Sequence, residues 1–194
     1  ALEVGERVGG IDERRDVDRA GREPVRRRFE VVPIAATRAD DRDLVHDELF
    51  VVNYRVSFGG SITVFPRTAA GDVVPLRVLQ GASTGFNNPQ GIAVDLARDE
   101  IVVANSSFGT ASPGNVLVFS RTASGNTGPV RQISGPSTAM CNPTGLVLDR
   151  VNDEIVVANS HGSSAVCDRS VTTFEKTASS DATPKRRIGP GPLS

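Results

Sequence analysis

The 194-residue chain carries 22 Lys and Arg against 23 Asp and Glu, a formal net charge of −1, with eight Phe, one Tyr, no Trp and two Cys. That length suits one domain or part of a larger protein. The even charge leaves no overall field to draw nucleic acid or acidic lipid, and no apolar run approaches the roughly 20 residues of a membrane-spanning helix.

Residues 1–43 differ from the rest. They hold ten arginines and eleven acidic residues, with apolar residues scattered at no clean period. Two readings stand. The segment is a charged, disordered leader, because so little apolar surface cannot offset the entropy of ordering, or it is a decayed copy of the repeat that follows. The second reading rests on Pro24-Val25-Arg26, which echoes Pro129-Val130-Arg131, and on residues 31–36, which read as a strand. Acids interleave with the arginines almost one for one, which argues against a phosphate-binding arm.

Residues 44–194 form a regular array of three units. The first, about 44–90, contains HDELFVVN (46–53), SITVFPRTAAGD (61–72), PLRVLQG (75–81) and NNPQG (87–91). The second, about 91–144, contains GIAVD (91–95), DEIVVANS (99–106), NVLVFSRTASGN (115–126), PVRQISG (129–135) and CNPTG (141–145). The third, about 145–194, contains GLVLD (145–149), DEIVVANS (153–160), SVTTFEKTASSD (170–181) and PKRRIG (184–189). Each unit is a series of short runs rich in Val and Ile and bounded by Gly, Pro, Asn and Asp, the pattern of four strands, a to d, with no helical period. A tight acidic turn joins a to b. Between c and d, sequences such as Ser-Gly-Asn supply a residue able to adopt positive φ. The Pro opening strand d suits an outer edge, where a missing N–H is tolerated.

Spacing sharpens the repeat. Pro75 to Pro89 and Pro129 to Pro143 are each 14 residues apart; Pro89 to Asn105 and Pro143 to Asn159 are each 16. The strand-c Phe lies 10 residues before the strand-d Pro in all three units, at Phe65–Pro75, Phe119–Pro129 and Phe174–Pro184. Only the b-to-c interval changes: Asn53–Phe65 is 12, Asn105–Phe119 is 14 and Asn159–Phe174 is 15. A rigid frame with one adjustable rim has this signature, and in repeat proteins the face that takes insertions is often the binding face.

A unit of about fifty residues with four antiparallel strands has the size of a β-propeller blade. The run NPxG-[IL]-[AV]-[VL]-D, at Asn88-Pro89-Gln90-Gly91 to Asp95 and at Asn142-Pro143-Thr144-Gly145 to Asp149, followed by DEIVVANS and VxVF, resembles the NHL repeat of bacterial propellers. The resemblance implies an all-β propeller or partial propeller of four-stranded antiparallel blades, three clear ones and a degenerate N-terminal one. It does not imply one function, since such propellers include enzymes, RNA-binding modules and protein-binding scaffolds. The first unit departs from the pattern. Where strand a is expected, the aligned residues are Ala39-Asp40-Asp41-Arg42-Asp43, which an inner strand could not bury. Three blades do not close a ring. Either the leader supplies a distorted blade, or the chain pairs with a protein partner or a second copy, or it is part of a longer protein; association is expected, a symmetric dimer being the economical form.

In such a blade the d-to-a and b-to-c loops share one face. The b-to-c loops there carry Tyr54, Arg55, Phe58, Phe108, His161 and Asp168, the candidate contacts for a ligand or partner; the bland alternative is that the two Phe side chains tuck into neighbouring blades. Cys141 and Cys167 fall on this same face of adjoining blades, where a disulfide is feasible and would suit an exported protein, periplasmic or extracellular. No metal set is legible, because His46 and His161 lie in different units and a Zn²⁺ or Ca²⁺ centre needs three or four convergent ligands. Asp95 and Asp149 read as turn caps, and Asn53, Asn105 and Asn159 as backbone-bonding residues. The columns Arg67, Arg121, Lys176 and Arg77, Arg131, Arg186 read as a solvated outer face paired with the Asp-Glu turns. No nucleophile turn, phosphate loop or paired-carboxylate signature is present, and nothing calls for a cofactor. The expectation is a non-catalytic binding or assembly module acting through its loop-rich face. The rivals are a propeller hydrolase or lyase whose metal site is completed outside this chain, and a structural subunit of an extracellular filament or envelope complex.

Overall fold

The computed structural model describes residues 29–33 (backbone only), 48–54, 59–106, 113–160 and 169–189. The strands are β1 (Phe29–Pro33), β2 (Glu48–Tyr54), β3 (Gly60–Pro66), β4 (Arg77–Leu79), β5 (Pro89–Asp95), β6 (Glu100–Asn105), β7 (Asn115–Ser120), β8 (Arg131–Ile133), β9 (Pro143–Asp149), β10 (Glu154–Asn159), β11 (Ser170–Glu175) and β12 (Arg186–Ile188). They pair as three separate antiparallel sheets of four strands, each a simple meander: β1–β4, β5–β8 and β9–β12. The chain is thus all-β, and among the described residues no helix is long and apolar enough to cross a membrane.

Local chemistry explains the meander. Asp95 turns β5 into β6 by accepting the Ala97 N–H at 3.1 Å, and Asp149 repeats the device with Val151 and Asn152 at 2.9 and 3.0 Å, so both act as the expected turn caps. Asp99 and Asp153 close these turns at φ 54° and 57°, a conformation Asp tolerates better than most side chains. The fourth strand of each sheet is an edge, and Pro75, Pro129 and Pro184 lie just outside it.

The first sheet agrees with the second reading of the charged segment, a decayed copy of the repeat. Its first strand comes from Phe29–Pro33, paired antiparallel with β2 from Phe29↔Asn53 to Pro33↔Leu49, not from residues 39–43, which lie outside the described residues. The charged segment therefore contributes to the array. Val31 and Val32 give β1 a β-branched centre that Asp-Asp-Arg-Asp lacks. The longer connection to β2 costs little, because loop-closure entropy grows only slowly with length.

The sheets stack face to face. Phe50, Val52, Ile62, Val64 and Leu79 of the first lie against Ile92, Val94, Ile101, Val103, Leu117 and Phe119 of the second. The other face of the second, with Val102, Val116, Val118 and Ile133, lies against Ile155, Val157 and Phe174 of the third. Strict alternation along β6 and β7 sends successive side chains to opposite cores, so the middle sheet is buried on both sides. Each sheet presents the same forward face to the back face of the next. Phe86 and Met140, in the connections between sheets, plug the two cores at one end, Phe86 meeting Phe119 with ring centroids 5.3 Å apart.

Of the basic columns, Arg121 and Lys176 are buried and Arg77 and Arg131 half-buried, while Arg67 and Arg186 are exposed as expected. Arg77, Arg131 and Arg186 each grip the glutamate that opens the second strand of their own sheet, Glu48, Glu100 and Glu154, through both guanidinium nitrogens. Arg77 and Arg131 also donate forward, to the backbone carbonyls of Arg121 (2.8 Å) and Lys176 (2.6 Å) in the next sheet. Arg121 and Lys176 reach back: Arg121 to Glu48 and to Asp99, each at 2.5 Å, and Lys176 to Asp95 and Asp153 at 3.5 and 3.4 Å. The partners are Asp-Glu turn residues or the Asp that ends the strand before that turn, mostly within one sheet; Arg121 with Glu48 and Lys176 with Asp95 span a junction, where both partners are largely removed from water.

Candidate functional site

The antiparallel register sets which loops share an end. Asn105 pairs with both Pro89 and Asn115, and Asn159 with both Pro143 and Ser170. The connections between sheets and the variable loops after Asn53, Asn105 and Asn159 therefore emerge at one end of the stack, and the Asp-Glu turns and basic columns at the other.

Of the sequence-predicted contact residues, the structure describes one. Tyr54 ends β2, half-buried, opposite Gly60. Arg55, Phe58, Phe108, His161 and Asp168 lie outside the described residues, as does Cys167. Cys141 is buried and disulfide-bonded. Among the described residues no group of three or more His, Cys, Asp or Glu side chains is placed to hold a metal ion.

What is described at this end is its rigid seat. Asn105 accepts the Asn87 N–H at 2.7 Å and donates to the Gly85 carbonyl (3.2 Å) and to Asn115 Oδ1 (2.8 Å). Asn159 accepts the Cys141 N–H at 3.1 Å and donates to Thr172 Oγ1 at 3.1 Å. Asn53 donates to Ser61 Oγ and Thr63 Oγ1 at 3.3 and 3.0 Å. Asn105 and Asn159 thus button the incoming connection onto strands two and three of their sheets, and Asn53 ties strand two to strand three of the first. Within that connection a short 3-10 turn is closed by Thr84 or Thr138, whose hydroxyl donates to the carbonyl of Gly81 (2.7 Å) or Gly135 (2.8 Å).

The Asn-Pro pair then crosses between sheets. Asn88 and Asn142 take φ of 63° and 47°. Their N–H groups donate to the preceding sheet's loop at Gly59 (3.3 Å) and Pro113 (2.8 Å), and their carbonyls accept from Ser106 and Ser160 at 3.1 Å each. Pro89 and Pro143 pack so closely on Gly60 and Gly114 that a Cβ at either glycine would stand 2.5 Å from the proline ring.

Amides and hydroxyls dominate this end, whereas the ion pairs collect at the other. Three of its buried polar atoms, Asn88 Oδ1, Ser106 Oγ and Ser170 Oγ, lack a hydrogen-bond partner among the described residues. Asn88 and Ser106 are neighbours through the 3.1 Å bond between their backbones. Buried unpaired polar groups are rare enough to need an explanation, a bound water or ligand among them. Sequence reasoning passed over both, yet the signal was there: serine follows the periodic asparagine in each Ala-Asn-Ser run. No protein-family model matches the chain, and no curated protein matches it.

Proposed function

We propose that the three sheets are successive blades of an NHL-type β-propeller, and that the protein is a non-catalytic binding and assembly module presenting its loop-bearing end to a partner. Several features support the propeller reading. Each sheet is a four-stranded meander, and β5 packs on β9 and also meets β1 and β2. Gly91 lies so close to Gly145 that a Cβ there would stand 2.9 Å from the Gly145 Cα, as the crowding of inner strands requires. The repeat motifs carry the family assignment.

One observation carries the binding reading. Apart from the longer connection between β1 and β2 in the first unit, length variation among the units falls in the loops after Asn53, Asn105 and Asn159, which leave one end of the frame, and binding loops on rigid scaffolds are arranged this way. The unpaired Asn88 and Ser106 groups at the same end add polar contacts for an occupant. A disulfide at this end would brace two adjoining loops and suit a protein working outside the reducing cytosol.

Metal content tests the reading against its enzymatic rival. Protein purified without chelator is expected to carry Ca²⁺ and Zn²⁺ far below one equivalent. A stoichiometric ion, held through gel filtration and required for hydrolase or lyase turnover, would overturn the non-catalytic reading. In the same preparation, replacing residues 107–112 by a Gly-Ser linker of equal length is expected to leave the melting temperature within about 3 °C, since the buried strands on either side are unchanged.

A further inference from the structure

Among the described residues, the stack is open at its third sheet. At the two junctions within the chain, the forward face is fully covered: Phe50, Ile62 and Leu79 are 0–1% exposed in the first sheet, and Val116 and Ile133 are 0% exposed in the second. In the third sheet the matching residue to Leu79 and Ile133 is Ile188, at 69% exposed, and Val147, on the opposite outer strand of the same face, is 62% exposed. Val156 and Val171, which match Val102 and Val116, are half-buried rather than buried. Polar connections are missing there too. Arg186 keeps its grip on Glu154, but the forward carbonyl that Arg77 and Arg131 reach is absent among the described residues, and its side chain is 53% exposed against 17% and 19% for its counterparts.

We propose that this face docks onto the back of the first sheet in a second copy of the chain. The two internal junctions supply the template. In each, the fourth strand forms a parallel bridge with the turn after the third strand of the next sheet, Leu79↔Gly125 and Ile133↔Ser180. Each bridge is sealed by backbone bonds: Gln80 N–H to Gly125 O at 2.9 Å and Gly125 N–H to Val78 O at 2.7 Å, then Ser134 N–H to Ser180 O at 2.9 Å and Ser180 N–H to Gln132 O at 2.6 Å. Gly71 occupies the same place in the first sheet's turn, exposed and already at φ 74°, beside 60° and 55° for Gly125 and Ser180. The back of that sheet offers Leu49, Thr63 and Phe65, half-buried, in the positions of Ile101, Leu117 and Phe119.

One residue selects the first sheet over a further regular unit. Gly60 and Gly114 lack a Cβ where the next sheet's proline sits, but the third sheet has Arg169 at that place. A following unit with the Asn-Pro motif would drive its proline ring into that side chain, given the 2.5 Å approach at the other two positions. The first sheet alone carries no proline in this register: β1 presents Phe29 opposite Asn53, where β5 and β9 present Pro89 and Pro143 opposite Asn105 and Asn159.

The contact is head-to-tail, because the docking faces lie at opposite ends of the stack. Two copies close on each other if the stack turns through half a ring, and otherwise copies run on as an open filament. This deepens the assembly part of the proposed function and is independent of the loop-bearing end, so a monomer would defeat it while leaving loop binding intact.

Sedimentation of the full chain at high concentration is expected to give a multiple of its 20.5 kDa mass. Ile188→Lys together with Val147→Lys should return it to the single-chain mass, with circular dichroism unchanged because both side chains already face solvent. A wild-type monomer, or variants that associate like wild type, would overturn the proposal. Orientation is read by oxidising mixed Ile188→Cys and Gly71→Cys chains, which should cross-link only when mixed. Cross-linking of Ile188→Cys chains alone would show a symmetric face-to-face contact instead and defeat the head-to-tail geometry.

Discussion

At the scale of the residue, the junctions depend on a few buried charges. Glu48 is shared by Arg77 of its own sheet and Arg121 of the next. The Arg77 hydrogen bonds, reinforced by the positive charge of Arg77 and Arg121, hold its carboxyl below the ordinary value of 4.5. Hydrogen bonds from Arg186 and Lys185 lower Glu154 in the same way. A carboxyl lowered in the folded state binds fewer protons there than in the unfolded chain. Its stabilisation is therefore complete above the unfolded value and is lost as pH falls through the folded one. Thermal melts are expected to be flat from pH 7 to pH 5 and to decline below about 4.5. Glu48→Gln should melt lower at pH 7 and show a shallower acid decline; an unchanged acid slope would mean that this carboxylate does not govern it. Arg121→Met removes one of two partners from Glu48 and should cost about 2–3 kcal/mol in urea unfolding, less than stripping a buried charge bare because Arg77 remains.

At the scale of the element, the strands and turns were legible and the junctions were not. Alternating Val and Ile in DEIVVANS gave β6 and β10 directly, and the constant spacings gave their partners. The first strand was legible only as one of two readings of the charged segment: residues 31–36 read as a strand, and the strand found is Phe29–Pro33, a β-branched pair at Val31 and Val32 recruiting it across a long connection. The burial of Arg121 and Lys176 was hidden as well, since a sequence column shows that a charge recurs but not what lies across the junction. Most of the candidate contact residues fall in the variable loops, where no period constrains the reading. The repeated glycines can be tested directly. Gly114→Ala places a Cβ 2.5 Å from Pro143 and 2.8 Å from the Asn105 carbonyl at φ 86°, and should destabilise by roughly 2–4 kcal/mol. Gly125→Ala, at φ 60° with open space around it, should cost only about 1–2 kcal/mol. Equal losses in chemical denaturation would mean that the proline contact adds nothing.

At the scale of the whole molecule, stability is unevenly spread. The second sheet is covered on both faces, whereas the third is covered on one and ends in the short edge strand β12. Amides that open only with the full structure exchange slowest, and exposed edges exchange first. In the Ile188→Lys chain, hydrogen exchange of β6 and β7 is expected to be slower than that of β12 by at least about 100-fold. Equal protection across the three sheets would instead indicate a single cooperative unit with no weak end.

The one-way order of the stack also bears on how the chain is made. Every sheet consists of strands that follow one another in sequence, and each is received by the sheet that comes after it. During synthesis the earliest sheet finishes first, and the newest always shows the ribosome's side of the chain the same apolar forward surface. The following unit, emerging next, is the one built to cover it. Folding can advance in the direction of translation, each step guided by a template already in place, and the surface a nascent chain leaves open moves forward with each sheet completed.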